Sequence, residues 1–198
     1  MGNLFFDLMN LRQLLRSKRR ALSASERSRK SAAIARNLAL LLPFRRASHI
    51  AFYMPTPEEV DTLPAIELAS NEGKDIYLPV IDQALSRTSS LSFEAFEPEQ
   101  TQLVKNRYGI LEPAHRSGTP VRAIELDVIC VPLVGFNQRC DRIGMGAGYY
   151  DRSLASPTYR RTTLVGVAFD CQQADFEPAA HDVPMDVIVT ESQTYRRR

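Results

Sequence analysis

The sequence predicts a single α/β domain spanning residues 1–198, with a mostly parallel sheet covered by helices on both faces. Its 198 residues are 44% hydrophobic and 24% charged, which suits one globular domain with one core. Short apolar runs typical of buried strands alternate with helical segments, and this alternation favours parallel strands joined by helical crossovers. In such sheets, ligands bind outside the carboxyl ends of the strands.

Two helices are predicted at the beginning of the chain. In "NLRQLLRSKRRAL" the leucines recur at helical spacing. Ser23 and Glu26 have the spacing of a capping box, so a second helix should start there. This helix is expected to run to about Leu42, because Pro43 follows.

The remaining segments alternate between strands and helices. In chain order they are a strand at 48–54, a helix at 62–73, a strand at 74–80, a hairpin strand in "LSFEAF", a buried strand at 127–136, a helix starting in "YYDRSLA", a strand in "TTLVGVAF" and a last strand in "DVIVTES". The first three form a βαβ unit.

Composition excludes several classes of protein. No apolar run approaches the roughly 20 residues of a spanning helix. The apolar opening carries Asp7 and lacks early positive charges and a small-residue cleavage site, so it is a poor signal peptide and we expect a cytoplasmic protein. Cys130, Cys140 and Cys171 are odd in number and lack CxxC spacing, which argues against disulfides and a zinc site.

Basic residues concentrate near the start of the chain although the net charge is only +2. Arg12, Arg16 and Arg19 or Arg20 recur on one helical face. An anion is expected near this face, and a nucleotide phosphate, a polyglutamate-like substrate and nucleic acid all remain open. A solvated basic face is the alternative interpretation.

A glycine-rich loop follows the predicted strand at 127–136. Gly144, Gly146 and Gly148 stand at alternate positions before a helix, where bare amides and a helix N-terminus can hold an anion. The spacing is not the dinucleotide fingerprint, and no Walker lysine-serine pair is present. Both a phosphate loop and a structural turn are consistent with this pattern.

The complete string "VPLVGFNQRCDRIGMGAGYYDR" closely resembles the signature of the 5-formyltetrahydrofolate cyclo-ligases. Further matches follow the family's order across nearly the whole chain: "LRQLLRSKRRALS", "PEEVDT", "YLPVI", "NRYGILEP" and "HDVPMDVIVTE". The resemblance implies a three-layer α/β/α sandwich of the CoA-transferase-like kind. It also implies ATP- and Mg²⁺-dependent closure of 5-formyltetrahydrofolate to 5,10-methenyltetrahydrofolate, with release of ADP and phosphate.

The family's route is phosphorylation of the formyl oxygen by ATP, attack by N10 and departure of phosphate. Such phosphoryl transfer depends on positioning and charge stabilisation and needs no nucleophilic side chain. We therefore expect a carbon–nitrogen ligase that acts alone on two small molecules, without nucleic acid or membrane. A monomer is expected, with a dimer as the alternative.

The resemblance also implies the residues of the site. Arg142 and Tyr150 are expected to be catalytic. ATP is expected to contact Arg12, Arg16, Arg142, Ile143, Gly144, Met145, Gly146, Ala147, Gly148, Tyr149 and Tyr150. The folate is expected to contact Met54, Glu59, Tyr108, Met145, Gly146, Ala147, Gly148 and Tyr149.

Asp151 and Asp182 are the predicted magnesium ligands. Magnesium is usually held by one or two carboxylates together with substrate phosphates. Asp151 follows the glycine loop, and Asp182 precedes the predicted final strand, which can return it to the same edge. Alternatively, the charge of Asp151 stabilises the N-terminus of the helix that follows it, and Asp182 forms an Asx-turn before Pro184. Asp186 competes, although its place at a strand start favours a buried structural role.

Two departures from the family pattern leave other functions open. Leu8 stands where the family usually has a lysine, and Ala147 replaces a lysine or glycine of the loop. A noncatalytic relative that binds folate or nucleotide is therefore one alternative. A nucleic-acid-binding module, suggested by the basic helices and the terminal "YRRR", is another, but it lacks interleaved aromatic residues and a recognised reader motif.

Overall fold

A seven-stranded sheet organises the part of the chain that the computed structural model describes, residues 2–81, 91–114, 119–155 and 161–197. Its strands are β1 His49–Ala51, β2 Asp75–Ile81, β3 Leu91–Ala95, β6 Val128–Pro132, β9 Thr163–Val167, β10 Val187–Val189 and β11 Thr194–Arg196. The order is β11-β10-β9-β6-β1-β2-β3, antiparallel only where β3 and β11 form the edges. The predicted mostly parallel sheet is confirmed.

Two short hairpins complete the strands. One consists of β4 Leu103–Lys105 and β5 Leu111–Pro113, and the other of β7 Gly135–Phe136 and β8 Arg142–Ile143. Both lie outside the main sheet. The second follows β6 directly and leads into the glycine-rich loop.

Helices cover both faces of the sheet. They are α1 Gly2–Arg20, α2 Ala24–Ala39, α3 Leu42–Arg46, α4 Leu63–Asn71 and α5 Tyr149–Leu154. Ile50 packs in the core cluster beneath α2, α3 and α4, whereas its neighbour Ala51 packs in the opposite cluster with Leu154 of α5. This alternation is that of a strand buried on both faces. Within the described ranges, no helix combines the length and apolarity needed to cross a membrane.

The beginning of α2 confirms the predicted capping box. The Ser23 hydroxyl accepts a hydrogen bond from the Glu26 amide at 3.2 Å, and the Glu26 carboxylate accepts one from the Ser23 amide at 2.9 Å. The end was predicted wrongly, because α2 stops at Ala39 and Pro43 lies in the first turn of α3. Proline is tolerated there because that amide has no partner within the helix.

The predicted strand at 127–136 divides into β6 and β7. Val134 donates its amide to the Ile143 carbonyl at 2.7 Å, so the chain has already left the main sheet for the β7–β8 hairpin. A continuous apolar run does not show where a strand changes partner. The segment "DVIVTES" forms β10 but is not the last strand, since β11 pairs antiparallel with it.

The three cysteines are free thiols in the structure. No disulfide joins them within the described chain. Burial raises the pKa of Cys130 to about 12 and that of Cys140 to about 11. Both thiols therefore remain protonated and unreactive at neutral pH.

Gly135 of β7 fixes how α1 docks. A Cβ atom at this position would overlap Leu15 Cδ1, and Leu15 is completely buried against Val134 and Ile143. Any other residue here would force the buried Leu15 side chain to shift. Leu8 and Leu11 pack on the same cluster, so Leu8 contributes to docking of the helix where the family usually has a lysine.

Gly135→Ala is therefore expected to destabilise the protein by about 1–3 kcal/mol, because overpacking forces α1 away from the hairpin. At this chain length, thermal denaturation should show a midpoint lower by about 2–4 °C per kcal/mol. Leu15→Ala removes the opposing methyl groups. The double variant should consequently lose less stability than the sum of the two single losses, and strict additivity would show that the overlap does not determine the effect.

Candidate active site

The candidate site lies at the topological switch point of the sheet, between β1 and β6. From β1 the chain continues to β2 on one side, whereas from β6 it continues to β9 on the other. The loops that leave the two carboxyl ends therefore diverge and open a crevice. These loops, residues 52–62 and 133–148, carry most of the predicted site residues.

Helix α1 crosses this edge with its basic face towards the loop that follows β6. Arg12 Nε donates to the Gly144 carbonyl at 3.2 Å, and Arg19 Nη1 reaches the Leu133 carbonyl at 3.4 Å. Arg16 Nε is buried and has no hydrogen-bond partner in the described structure. The basic stripe of α1 thus meets the glycine-rich loop, more than a hundred residues later in the chain.

The glycines of the loop meet two requirements, a positive φ and a close approach of a side chain. Gly146 and Gly148 have φ values of 99° and 67°, which other residues rarely adopt. A Cβ on Gly144 would lie 2.9 Å from Arg142 Nη1. The loop is therefore both a tight turn and a bare surface. Helix α5 has only six residues and therefore a weak dipole. Any attraction of the loop for an anion must come from its backbone amides and the nearby arginines.

Arg142 is held by a buried ion pair with Asp151. Its side chain is only 3% exposed, and Nη2 donates to Asp151 Oδ1 at 2.5 Å. Nε is buried without a hydrogen-bond partner among the described residues. Sequence reasoning assigned Asp151 to metal and missed this pair, although opposite charges on either side of the loop were the available signal. The pair fixes the guanidinium group beside Gly144.

Asp151 also joins the loop to the segment before β10. Its Oδ1 accepts a hydrogen bond from the Val183 amide at 3.1 Å, which brings the neighbouring residue Asp182 to the same side of the sheet as the loop. The Asp182 carboxylate, however, accepts the Ala179 amide at 2.8 Å, which is a turn contact. Asp186 caps the Leu164 amide at 2.8 Å and is exposed, so its structural role is confirmed and its predicted burial is wrong.

The residues around Asp151 fit a Mg²⁺ ion only in part. In the described ranges, no three His, Cys, Asp or Glu side chains come together as a metal site. Asp151 Oδ2 accepts no hydrogen bond from any described residue. One carboxylate oxygen fits an ion that is held mainly by the phosphates of a nucleotide. It does not form a cage built by the protein.

The loop after β1 carries Glu59 and Met54. Glu59 Oε2 accepts the Thr56 amide at 2.9 Å, which turns the carboxylate back on its own loop. Met54 is 9% exposed and belongs to the hydrophobic core, so it offers a ligand only a small apolar surface.

Tyr150 lies between the two loops. Its ring centroid is 5.9 Å from Arg142 Cζ. Burial raises the pKa of its hydroxyl, Arg142 opposes the rise, and the Glu59 carboxylate adds to it. The hydroxyl therefore stays protonated at neutral pH and can donate a hydrogen bond, but it cannot act as a general base.

Tyr108 of the β4–β5 hairpin and Tyr149 of α5 contact each other, and we call this pair the tyrosine rim of the crevice. Their hydroxyl oxygens are 2.8 Å apart, and Arg107 Nη2 donates to the Tyr149 hydroxyl at 2.7 Å. The hydrogen bond with Tyr108, followed by that from Arg107, lowers the pKa of Tyr149. The Tyr108 ring is accessible, since the residue is 52% exposed.

The fold and this crevice are those of an α/β protein in which basic side chains and a glycine-rich loop meet at the switch point of the sheet. Comparison with known proteins gives the family. The chain belongs to the 5-formyltetrahydrofolate cyclo-ligase family, whose model matches residues 7–191.

Curated relatives carry the same name. The 5-formyltetrahydrofolate cyclo-ligase of Escherichia coli K12 is 33% identical over 183 residues, covering 92% of this chain and 99% of the relative. That of Haemophilus influenzae is 32% identical over 181 residues, covering 90% and 95%. The family and its members indicate 5-formyltetrahydrofolate cyclo-ligase activity, which is that of a ligase.

Two solved structures share the fold. The NMR structure of Aquifex aeolicus 5,10-methenyltetrahydrofolate synthetase has a TM-score of 0.79 at 33% identity, covering 96% of this chain and 93% of that one. The 5,10-methenyltetrahydrofolate synthetase of Mycoplasma pneumoniae has a TM-score of 0.74 at 26% identity, covering 94% and 99%. The expected helix-flanked, mostly parallel sheet is thus found in proteins of this family.

Proposed function

We propose that the protein catalyses the ATP- and Mg²⁺-dependent cyclisation of 5-formyltetrahydrofolate to 5,10-methenyltetrahydrofolate, with release of ADP and phosphate. One observation carries the proposal. Across a chain that matches the family from residue 7 to residue 191, Arg12, Arg142 and the glycine-rich loop converge at the switch point of the sheet.

The reaction proceeds in two steps. The formyl oxygen attacks the γ-phosphorus of ATP, the bond to ADP breaks, and the formyl carbon becomes an electrophile. N10 then donates its electron pair to that carbon, the bond to phosphate oxygen breaks, and the N10 proton is lost. Both steps require alignment and charge stabilisation, which the site offers without a nucleophilic side chain.

The nucleotide half of the proposed site is formed by α1 and the loop. Arg12, Arg16 and Arg142 bind phosphate oxygens through their guanidinium N–H groups, and the amides from Ile143 to Tyr150 contact the remaining oxygens. Magnesium bound with ATP would neutralise phosphate charge, and Asp151 would be the carboxylate that holds it. Asp182 belongs to this half through its position beside Val183.

The folate half is formed by the loop after β1 and the tyrosine rim. Glu59 accepts hydrogen bonds from the pterin ring, while Met54 and the exposed Tyr108 ring supply apolar contact. Tyr149 and residues 145–148 separate this half from the nucleotide. Tyr150 donates a hydrogen bond at the point where the two halves meet.

One assay tests the proposed function. Appearance of the methenyl absorbance from 5-formyltetrahydrofolate should require both ATP and Mg²⁺, with ADP formed in equal amount. Binding of folate and nucleotide without turnover would instead support a noncatalytic relative. Salt-sensitive binding of an oligonucleotide without folate turnover would support the nucleic-acid module, although Arg12 faces the glycine loop in this structure.

Glu59→Gln keeps the shape of the side chain and removes its charge. Because a hydrogen bond to a charged acceptor is worth about 1.5–3 kcal/mol, the KM for 5-formyltetrahydrofolate should rise about tenfold or more, while the KM for ATP changes little. Steady-state kinetics with each substrate varied in turn measures both constants. Glu67→Gln, an exposed carboxylate on α4, is the control. An effect confined to ATP would place Glu59 in the nucleotide half.

A further inference from the structure

Glu58 connects α1 to the loop after β1. Its Oε1 accepts a hydrogen bond from Arg20 Nε at 2.6 Å, and its Oε2 lies 3.6 Å from Arg19 Nη2. The Arg20 side chain is 53% exposed, whereas that of Arg19 is 3% exposed. One carboxylate is thus shared by a surface guanidinium and a buried one.

The buried arginine has few other partners. Arg19 Nη1 is 3.4 Å from the Leu133 carbonyl at the end of β6, and Nε has no hydrogen-bond partner in the described ranges. A buried cation is costly unless it is paired. Among the described residues, Glu58 is the one carboxylate within 4 Å of Arg19, so its charge holds α1 and the loop after β1 together.

Glu58 stands inside the turn that orients Glu59. The Glu59 amide donates to the Thr56 carbonyl at 3.0 Å, and the Thr56 amide donates to the Glu59 carboxylate at 2.9 Å. The same helix that contacts Glu58 carries Arg12, bonded to the Gly144 carbonyl. Helix α1 therefore touches both loops that line the crevice.

We infer that Glu58 is a positioning residue, which through Arg19 and Arg20 fixes the Thr56–Glu59 turn against α1 and so orients Glu59 towards the folate. This inference rests on the proposed function for the identity of the ligand. Helix α1 is anchored separately by Leu15. Loss of the Glu58 charge should therefore loosen the turn more than it loosens the helix.

Glu58→Gln should raise the KM for 5-formyltetrahydrofolate about tenfold and the KM for ATP less than threefold, with little change in kcat. Arg19→Lys, which retains the charge but loses the forked geometry, should give a smaller rise than Arg19→Met. If Glu58→Gln leaves the folate KM unchanged, or raises both KM values equally, the inference is wrong. Glu67→Gln is the matched carboxylate control.

A second measurement does not depend on turnover. In the free protein, hydrogen exchange of the Thr56 and Glu59 amides should accelerate about tenfold in Glu58→Gln, while exchange in α4 remains at the wild-type rate. Unchanged exchange at these amides overturns the positioning role. If the wild-type protein forms no methenyl product, the proposed function fails, but the exchange result still decides whether Glu58 holds the turn.

Discussion

Arg142→Ala should lower kcat/KM by about 10²–10³-fold, the usual cost of removing one preorganised donor to developing charge. The guanidinium group is buried, fixed by Asp151, and retains an N–H donor without a hydrogen-bond partner among the described residues. The loss should appear in turnover and in ATP binding. Methenyl formation and nucleotide titration measure the two effects separately.

Two variants separate this role from loss of folding. Arg142→Ala leaves Asp151 without its cationic partner, and breaking a buried pair can cost about 3–5 kcal/mol, so circular dichroism must accompany the kinetics. Arg142→Lys keeps the charge and should lose about tenfold less activity. Arg122→Ala, whose side chain is 77% exposed, should change nothing. Equal losses for Arg122 and Arg142 would refute the assignment of the loop.

Asp151→Asn should lower activity by about 10–100-fold, since a hydrogen bond to a charged group is worth about 1.5–3 kcal/mol. Because it also leaves the buried Arg142 without an anionic partner, circular dichroism must accompany the kinetics. Asparagine can still accept the Val183 amide, so the segment before β10 keeps its place. If Asp151 binds the ion that accompanies ATP, raised Mg²⁺ should partly restore turnover. Asp182→Asn should behave similarly but more weakly, because its carboxylate already accepts the Ala179 amide.

Magnesium titrations of the wild type and both variants decide whether Asp151 and Asp182 bind the ion that accompanies ATP. Wild-type magnesium dependence in both variants would mean that nucleotide and water alone hold the ion. A higher KM for ATP in Asp151→Asn without altered magnesium dependence would instead assign Asp151 to the orientation of Arg142. Circular dichroism confirms that each variant is folded.

The sequence was most informative where the determinants are local. The Ser23–Glu26 capping box lies within one turn of helix, and its prediction is confirmed. Pro43 was misinterpreted because the same residue can follow one helix or begin the next. The division of the 127–136 run into two strands depends on the pairing of Val134 with Ile143, which no local pattern encodes.

Side-chain partners in the site were harder to predict than its location. The switch-point rule and the glycine-rich loop both indicate the edge of the sheet where α1 meets that loop. The pairing of Arg142 with Asp151 and the shared carboxylate of Glu58 depend on how separate elements pack, so the sequence offered only unassigned charges. The predicted contacts with ATP, folate and magnesium remain predictions that the proposed variants test.

The docking of α1 also has a consequence for biosynthesis. Arg12 and its carbonyl partner are 132 positions apart, and Arg19 and Leu133 are 114 apart. During translation the helix therefore leaves the ribosome long before the β7–β8 hairpin that receives Leu15. Closing so long a loop is slow, and an undocked amphipathic segment is open to chaperones in the meantime. The nascent chain therefore cannot dock Leu15 in its final place until Ile143 of β8 has been synthesised.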